Sequence, residues 1–304
     1  MSVTASMVRD LREKTNAGML DCKKALEETK GDFEAAVEWL RKKGLASAAK
    51  KADRLAAEGI VSTFVANGKN GVLVEINSET DFVAKNENFR TLVTEIAKFI
   101  ATSSQAPAHV DELMTMKLNG VVIGDLMKES IAKIGENLVL RRFIRFDAPG
   151  YVHSYIHGDG KIGVLVELTT TKADEAAKTL ANDICLHVAA MSPLALSKDD
   201  VPPEVVAKEK EILRAKALES GKKPEMLDKI VDGQINKFLS ESALLEQAFV
   251  KNPDLKVREY VAEMAKKSAE PFTIKRFVRF ELGAGLQKRA NNFAEEVAAQ
   301  MKGH

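Results

Sequence analysis

Apolar positions recur along the chain with two different periods, and the change between them divides it. Up to about residue 54 the period is helical. Met7, Val8 and Leu11 share one face behind a candidate cap at Thr4. The run Thr15-Asn16-Ala17-Gly18 breaks that helix, and a second is predicted from Met19 to Thr29. Gly31-Asp32 reads as a stop followed by a cap. The third helix then places Phe33, Ala36, Val37 and Leu40 on one face, with Gly44 as its predicted end. Residues 45–58 read as a mobile, basic helical linker, and Trp39 as a packing residue.

From residue 59 the pattern alternates. Ile60–Ala66 and Val72–Ile76 read as two strands of a hairpin about the turn 67–71. A helix with Phe89, Leu92, Val93, Ile96, Phe99 and Ile100 on one wide face is predicted from about Asn88 to Ala101. A short helix over Asp125–Ile134 and a strand over Leu138–Asp147 follow. This unit then recurs. Gly163-Val164-Leu165-Val166-Glu167 repeats Gly71-Val72-Leu73-Val74-Glu75 at an offset of 92. Leu180, Ile184 and Val188 match Leu92, Ile96 and Ile100 at an offset of 88, and Ile274–Glu281 matches Leu140–Asp147 at 134. The prediction is an α+β protein with two repeated units, each a small antiparallel sheet covered by helices.

The offsets also locate insertions. The fall from 92 to 88 places four extra residues in the first unit, inside Asn77–Asn86. The rise to 134 places about 46 extra residues in the second unit, between Pro193 and Lys256. Two apolar-striped segments there, joined by Ser220-Gly221-Lys222-Lys223-Pro224, predict a helical hairpin of coiled-coil type over about 194–250. Gly283-Ala284-Gly285 reads as a flexible joint before an amphipathic helix from Leu286 to Met301. The expected organisation is a helical domain with its linker at 1–54, core units at 55–147 and 148–282, and a C-terminal helical module at 283–304.

Three places are candidates for function. In the stretch Thr80-Asp81-Phe82-Val83, the ordinary reading is a helix cap at Thr80 or Asp81 with Phe82 tucked into the core. Elaboration of this turn in one unit only argues that it does more than connect. Met19-Leu20, at the turn between the first two helices, either cover the small core or offer a flexible apolar contact to a partner. His187 lies within a helical pattern, where a satisfied helix histidine is the ordinary reading.

Charge and chemistry then narrow the function class. With 45 Lys and Arg against 44 Asp and Glu, the net charge is +1, which disfavours nonspecific nucleic-acid binding. Two distant cysteines, Cys22 and Cys185, fit a reducing compartment better than a disulfide framework. No run approaches the ~20 apolar residues of a membrane span, and the absence of a leader pattern leads to the expectation of a cytoplasmic protein. Gly158-Asp159-Gly160-Lys161-Ile162-Gly163 fits the dinucleotide fingerprint in letters, but it joins two predicted strands instead of opening a helix. His153 and His157 lack further ligands at metal spacing, and no nucleophile–base pair emerges. The expectation is a binding protein, not an enzyme, with no catalytic residues, cofactor or metal.

Several motifs together resemble the bacterial elongation factor Ts family, the nucleotide-exchange factors of elongation factor Tu. They are Leu11–Leu26, Thr80–Asn86, Ala132-Lys133-Ile134-Gly135-Glu136-Asn137, His187-Val188-Ala189-Ala190 and Phe277–Glu281. They fall in order along nearly the whole chain. Leu20 stands where the family also has a second methionine, and Asn86 where it also has Asp. The resemblance implies a ubiquitin-associated-like N-terminal module, a coiled-coil arm, and elongation factor Tu, GDP-bound or nucleotide-free, as partner. It further implies that Thr80, Asp81, Phe82 and Val83 perturb the partner's Mg²⁺ and phosphate site. Met19 and Leu20 would grip the same GTPase domain, with an added contact from the C-terminal helix. The second unit, with His187 nearby, would hold the distal domain, and GTP would later displace the factor. Direct contact with nucleic acid or membrane is not expected. Two other readings remain open at this stage. One is an adaptor whose helical module binds ubiquitin-like or other peptides, and the other is an RNA-associated translation protein.

Overall fold

The computed structural model describes residues 3–287, apart from 16, 221–223 and 269. The chain begins with α1 (Ala5–Thr15), α2 (Met19–Glu28) and α3 (Phe33–Lys51). Thr4 Oγ1 accepts from Met7 N at 3.3 Å, and Asp32 caps α3 by accepting from Ala35 N at 2.9 Å. Val8, Leu11, Cys22, Ala25, Leu26 and Ala36 close a small core, with Trp39 packed at its edge.

Gly44 does not end α3. The helix runs on to Lys51, so the first half of the predicted linker is a continuation of α3. The reason is a close approach. A Cβ on Gly44 would stand 3.0 Å from Cβ of Ala132, and Ala48 one turn later is buried in the core of the first repeat. Here a glycine that costs about 1 kcal/mol of helix propensity allows two helices to touch.

The first repeat comprises β1 (Glu58–Ala66), β2 (Asn70–Ser78), α4 (Asp81–Ala84), α5 (Glu87–Thr102), α6 (Val110–Thr115), β3 (Lys117–Leu118), β4 (Val121–Val122), α7 (Ile123–Ile134) and β5 (Val139–Asp147). The second comprises β6 (Tyr151–His157), β7 (Ile162–Leu168), α8 (Glu175–Met191), α9 (Pro203–Glu219), α10 (Pro224–Ser242), β8 (Ala248–Phe249), β9 (Asn252–Lys256), α11 (Val257–Lys267) and β10 (Ile274–Glu281). The antiparallel sheets have matching orders, β1-β2-β5 and β6-β7-β10. Sequence periodicity misses α6 and the β3–β4 and β8–β9 hairpins, because these elements are too short to show a period.

The recurring Gly-Val-Leu-Val-Glu has a physical reason at each position. Val72 and Val74 face the helices of their own unit, and Val164 and Val166 do the same. Leu73 and Leu165 point the other way, into a third apolar cluster between the two sheets. Glycine precedes them because the sheets meet there. A Cβ on Gly71 would lie 2.5 Å from Val152 Cγ1, and one on Gly163 would lie 2.6 Å from Val61 Cγ1. The glutamates are fully buried and paired with the closing strands. Glu75 accepts from Arg141 at 2.8 Å and Arg142 at 2.7 Å, and Glu167 from Lys275 at 3.1 Å and Arg276 at 2.5 Å. Burial pushes the Glu75 carboxyl up. Hydrogen bonds from Gly283 N–H and the two guanidinium groups outweigh that and hold it below the usual carboxylate range.

The sheets meet about a pseudo-two-fold axis, so contacts come in reciprocal pairs. Val61 N donates to Gly160 O at 2.8 Å, and Val152 N to Gly68 O at 2.7 Å. The Arg142 guanidinium lies 4.2 Å from the Phe280 ring centroid, and that of Arg276 lies 3.9 Å from Phe146.

The insertion between α8 and β8 contains α9 and α10, which run antiparallel. Ion pairs Lys210–Asp232 and Arg214–Asp228, both 3.2 Å, set their register. Leu227, Val231 and Ile235 are buried along α10. The Gly283–Gly285 segment is pinned where a flexible joint was expected. Gly283 N donates to Glu75 Oε1 at 2.9 Å, and Ala284 O accepts from Arg141. The helix predicted over Leu286–Met301 falls almost wholly outside the described residues.

Candidate functional site

The stretch that is four residues longer in the first repeat holds one turn of helix, α4, with no counterpart among the described residues between β7 and α8. Thr80 caps it, its Oγ1 accepting from Val83 N at 3.4 Å. The same residue is held from below by Glu136, where Thr80 N donates to Oε2 at 3.0 Å and Thr80 Oγ1 to Oε1 at 2.6 Å. Glu136 reaches this place because Gly135, at φ 89°, ends α7 in a left-handed cap and turns the chain under the loop. Its neighbour Asn137 donates from its backbone to Glu79 Oε1 at 2.7 Å, and from Nδ2 to Ala52 O and Arg54 O at 3.2 and 2.8 Å. One tripeptide, Gly135-Glu136-Asn137, therefore ties the turn to the end of α3.

Val83 and Ala84 are buried in the first repeat's core, and they fix which side of α4 faces outward. Phe82 is on that outward side and is 80% exposed. This rules out the ordinary reading, in which the ring is tucked into the core. Thr80 caps as expected; Asp81 does not cap, but opens the turn and pairs with Lys85 at 2.9 Å. The Lys85 ammonium, by hydrogen bond and charge, holds the half-exposed Asp81 carboxyl below its ordinary range. An aromatic ring in water beside a carboxylate, on a turn clamped at both ends, is built for contact with another molecule. Next to Phe82 an open groove runs between α5 and α7, lined by Asn88, Thr91, Glu95, Leu126, Ser130 and Lys133.

A second apolar point is made by Met19 (51% exposed) and Leu20 (83% exposed) at the start of α2. They leave core formation to Cys22, Ala25 and Leu26, so they do not cover the small core. A cleft of about 300 Å³ lies between this helical module and α7, and Lys133 borders both it and the groove beside Phe82.

His187 is placed differently. It is fully buried on α8, so its ring is not available to a partner. Its Nδ1 accepts from Val250 N at 3.1 Å, which leaves Nε2 to donate to Gln247 Oε1 at 2.9 Å. Burial pushes its pKa down despite the Gln247 bond, so the ring stays neutral. His187 therefore anchors the 247–250 segment, beside which Met191, Leu194 and Val250 are exposed. Among the described residues no group of three or more His, Cys, Asp or Glu is placed to hold a metal ion, and no helix is long and apolar enough to cross a membrane.

Comparison with known proteins decides the family. The model of the family "Elongation factor TS" matches residues 79–284, which begin at the braced turn and end at the pinned glycines. The chain is 54% identical to elongation factor Ts of Bdellovibrio bacteriovorus, with all of both chains covered. This chain belongs to the elongation factor Ts family. Other members include those of Syntrophotalea carbinolica, 52% identical over 99% of this chain and all of that protein, and of Clostridium perfringens, 50% identical over 97% and 98%. Membership makes it a translation elongation factor. The sequence motif Ile134-Gly135-Glu136-Asn137 carries the resemblance but gives no hint of its task. The geometry supplies one, a brace under Thr80.

Proposed function

We propose that this chain binds elongation factor Tu carrying GDP and promotes GDP release by disturbing the Mg²⁺ and phosphate site of that partner, acting in the cytoplasm. The observation that carries this reading is Phe82, a large apolar ring held in water on a turn fixed by Glu136 and Val83. Burying such a side chain in a partner yields roughly 1.5–3 kcal/mol, enough to wedge apart groups that order a metal's water shell. Asp81 steadies the wedge by hydrogen bonding to the partner once it leaves Lys85. Losing Mg²⁺ removes charge compensation from the diphosphate, and GDP departs faster. Met19 and Leu20 grip the GTPase domain at a second point. The second repeat holds the distal domain through the surface that His187 anchors, with Met191, Leu194 and Val250 as its apolar contacts. The α9–α10 hairpin is an arm of coiled-coil type that adds further contact. No chemical bond is made or broken by this chain. It favours the nucleotide-free partner, and GTP displaces it by the reciprocal coupling.

The test is release of fluorescent GDP from elongation factor Tu, chased with unlabelled nucleotide. The wild-type chain accelerates release. Phe82→Ala lowers the acceleration at least about tenfold while the unfolding midpoint in urea stays put, because an exposed ring contributes little to stability. Equal rates with and without the wild-type chain, or a Phe82→Ala variant as active as wild type, would refute the reading.

A further inference from the structure

The glycine-rich motif rejected as a nucleotide site has a place in the structure. Residues 158–161 form the turn between β6 and β7, with Gly158, Asp159 and Gly160 at φ 59°, 57° and 94°. This turn belongs to the second repeat but presses on the first. A Cβ on Gly160 would stand 2.9 Å from Cβ of Ile60, and Gly160 O accepts from Val61 N at 2.8 Å. Lys161 pairs with Glu58 at 3.0 Å. Asp159 takes both terminal nitrogens of Arg90, Nη1 to Oδ1 at 2.8 Å and Nη2 to Oδ2 at 2.6 Å. The third nitrogen of that guanidinium, Nε, donates to Ala84 O at 2.9 Å, the carbonyl of the last residue of α4.

One planar group therefore joins the turn of the second repeat to the helix that carries Phe82. Arg90 suits this because its donors form a rigid fork, which a lysine lacks. The pseudo-symmetry supplies an internal control. At the matching places, offset by 92 and 88, stand Asn67 for Asp159 and Lys178 for Arg90. Lys178 instead pairs with Glu175 on its own helix at 3.0 Å. The backbone contacts of the two turns are reciprocal, while the carboxylate–guanidinium fork is on one side only, the side with the extra turn.

We propose that Arg90 and Asp159 are positioning residues that aim the Asp81–Phe82 turn, so that the second repeat sets the direction of the element borne by the first. The proposal rests on the exchange-factor reading above and deepens it. The partner's distal domain, held by the second repeat, and its nucleotide site, met by Phe82, are then coupled through this fork. Glu136 fixes the entrance of α4 and Arg90 its exit.

The test uses the full chain with 4-fluorophenylalanine at position 82, read by ¹⁹F NMR, together with GDP release from elongation factor Tu. Asp159→Asn removes the charge but keeps a residue tolerant of positive φ, the one the first repeat itself uses. Expected are a shifted and broadened ¹⁹F signal in the free protein and an unchanged thermal midpoint. The maximal release rate should fall about threefold or more, with the half-saturating concentration changed less than about twofold. Arg90→Lys should act alike, and the double variant should be no worse than Arg90→Lys alone. A ¹⁹F signal of Asp159→Asn that superimposes on wild type overturns the proposal, as do additive losses in the double variant. If the signal moves but the wild-type chain leaves GDP release unchanged, the exchange-factor reading is what falls.

Discussion

Glu136→Ala removes the brace under Thr80 without touching the residues displayed to the partner. Two donors lose their acceptor, Thr80 N–H at 3.0 Å and Thr80 Oγ1–H at 2.6 Å. Hydrogen bonds to a charged group contribute about 1.5–3 kcal/mol each when shielded. Both residues here are only half-buried, so water replaces part of each bond. A combined loss of about 1.5 kcal/mol lowers the ratio of held to released turn roughly tenfold. Stopped-flow release of fluorescent GDP should show a maximal rate reduced by up to about that factor. Glu136→Gln, which keeps one carbonyl acceptor, should lose about threefold. Urea unfolding should move little, because Val83 and Ala84 still bury α4's inner side. A Glu136→Ala variant with wild-type exchange would refute the bracing role. A global loss of stability in step with the rate would show that Glu136 supports the fold and not the turn.

Two further outcomes are expected. Gly163→Ala drives a methyl to 2.6 Å from Val61 Cγ1 and should cost about 1–3 kcal/mol in urea unfolding, with Val61→Ala restoring part of it. His187 and His153 both have pKa values lowered by burial, so between pH 7.5 and 5.5 the unfolded chain takes up protons that the native chain refuses. Stability should fall with pH in that window, by up to about 1.4 kcal/mol per pH unit for each histidine, and His187→Asn should flatten the slope.

The repeated sheets were legible in the sequence because burial of the central strand on both faces leaves a short continuous apolar run, and because the same interface is made twice. Gly71 and Gly163 showed up as identity before they had a reason. Phe82 was legible as a candidate, through the extra residues of its turn in one repeat, but its exposure was not. A ring beside Val83 and Ala84 reads as core from pattern alone, and only the geometry of a single helical turn shows which of three adjacent apolar residues faces out. Gly44 misled for a related reason. Local propensity says stop, while the contact that overrides it lies nearly 90 residues away at Ala132. His187 carried the family motif but not its role, since whether a helix histidine points in or out depends on a strand pair some 60 residues later. Glu136 and Arg90 were ordinary surface charges in sequence, and their partners are brought to them by folding.

The unbroken α3 sets a distance. It spans 19 residues, from the small core beside Met19 and Leu20 to the loop that Asn137 ties beneath Thr80. At about 1.5 Å per residue it is nearly 30 Å long, and Lys43 near its middle pairs with Asp21 beside Met19 and Leu20, so its last turns, residues 44–51, are the strut between that point and the loop. In the proposed complex the two points act as the jaws of a calliper, with a spacing and an angle that the helix dictates. One residue inserted between Gly44 and Lys51 would turn one jaw by about 100° about the strut and lengthen it by only about 1.5 Å, so each point could remain intact while the pair no longer fits a single partner.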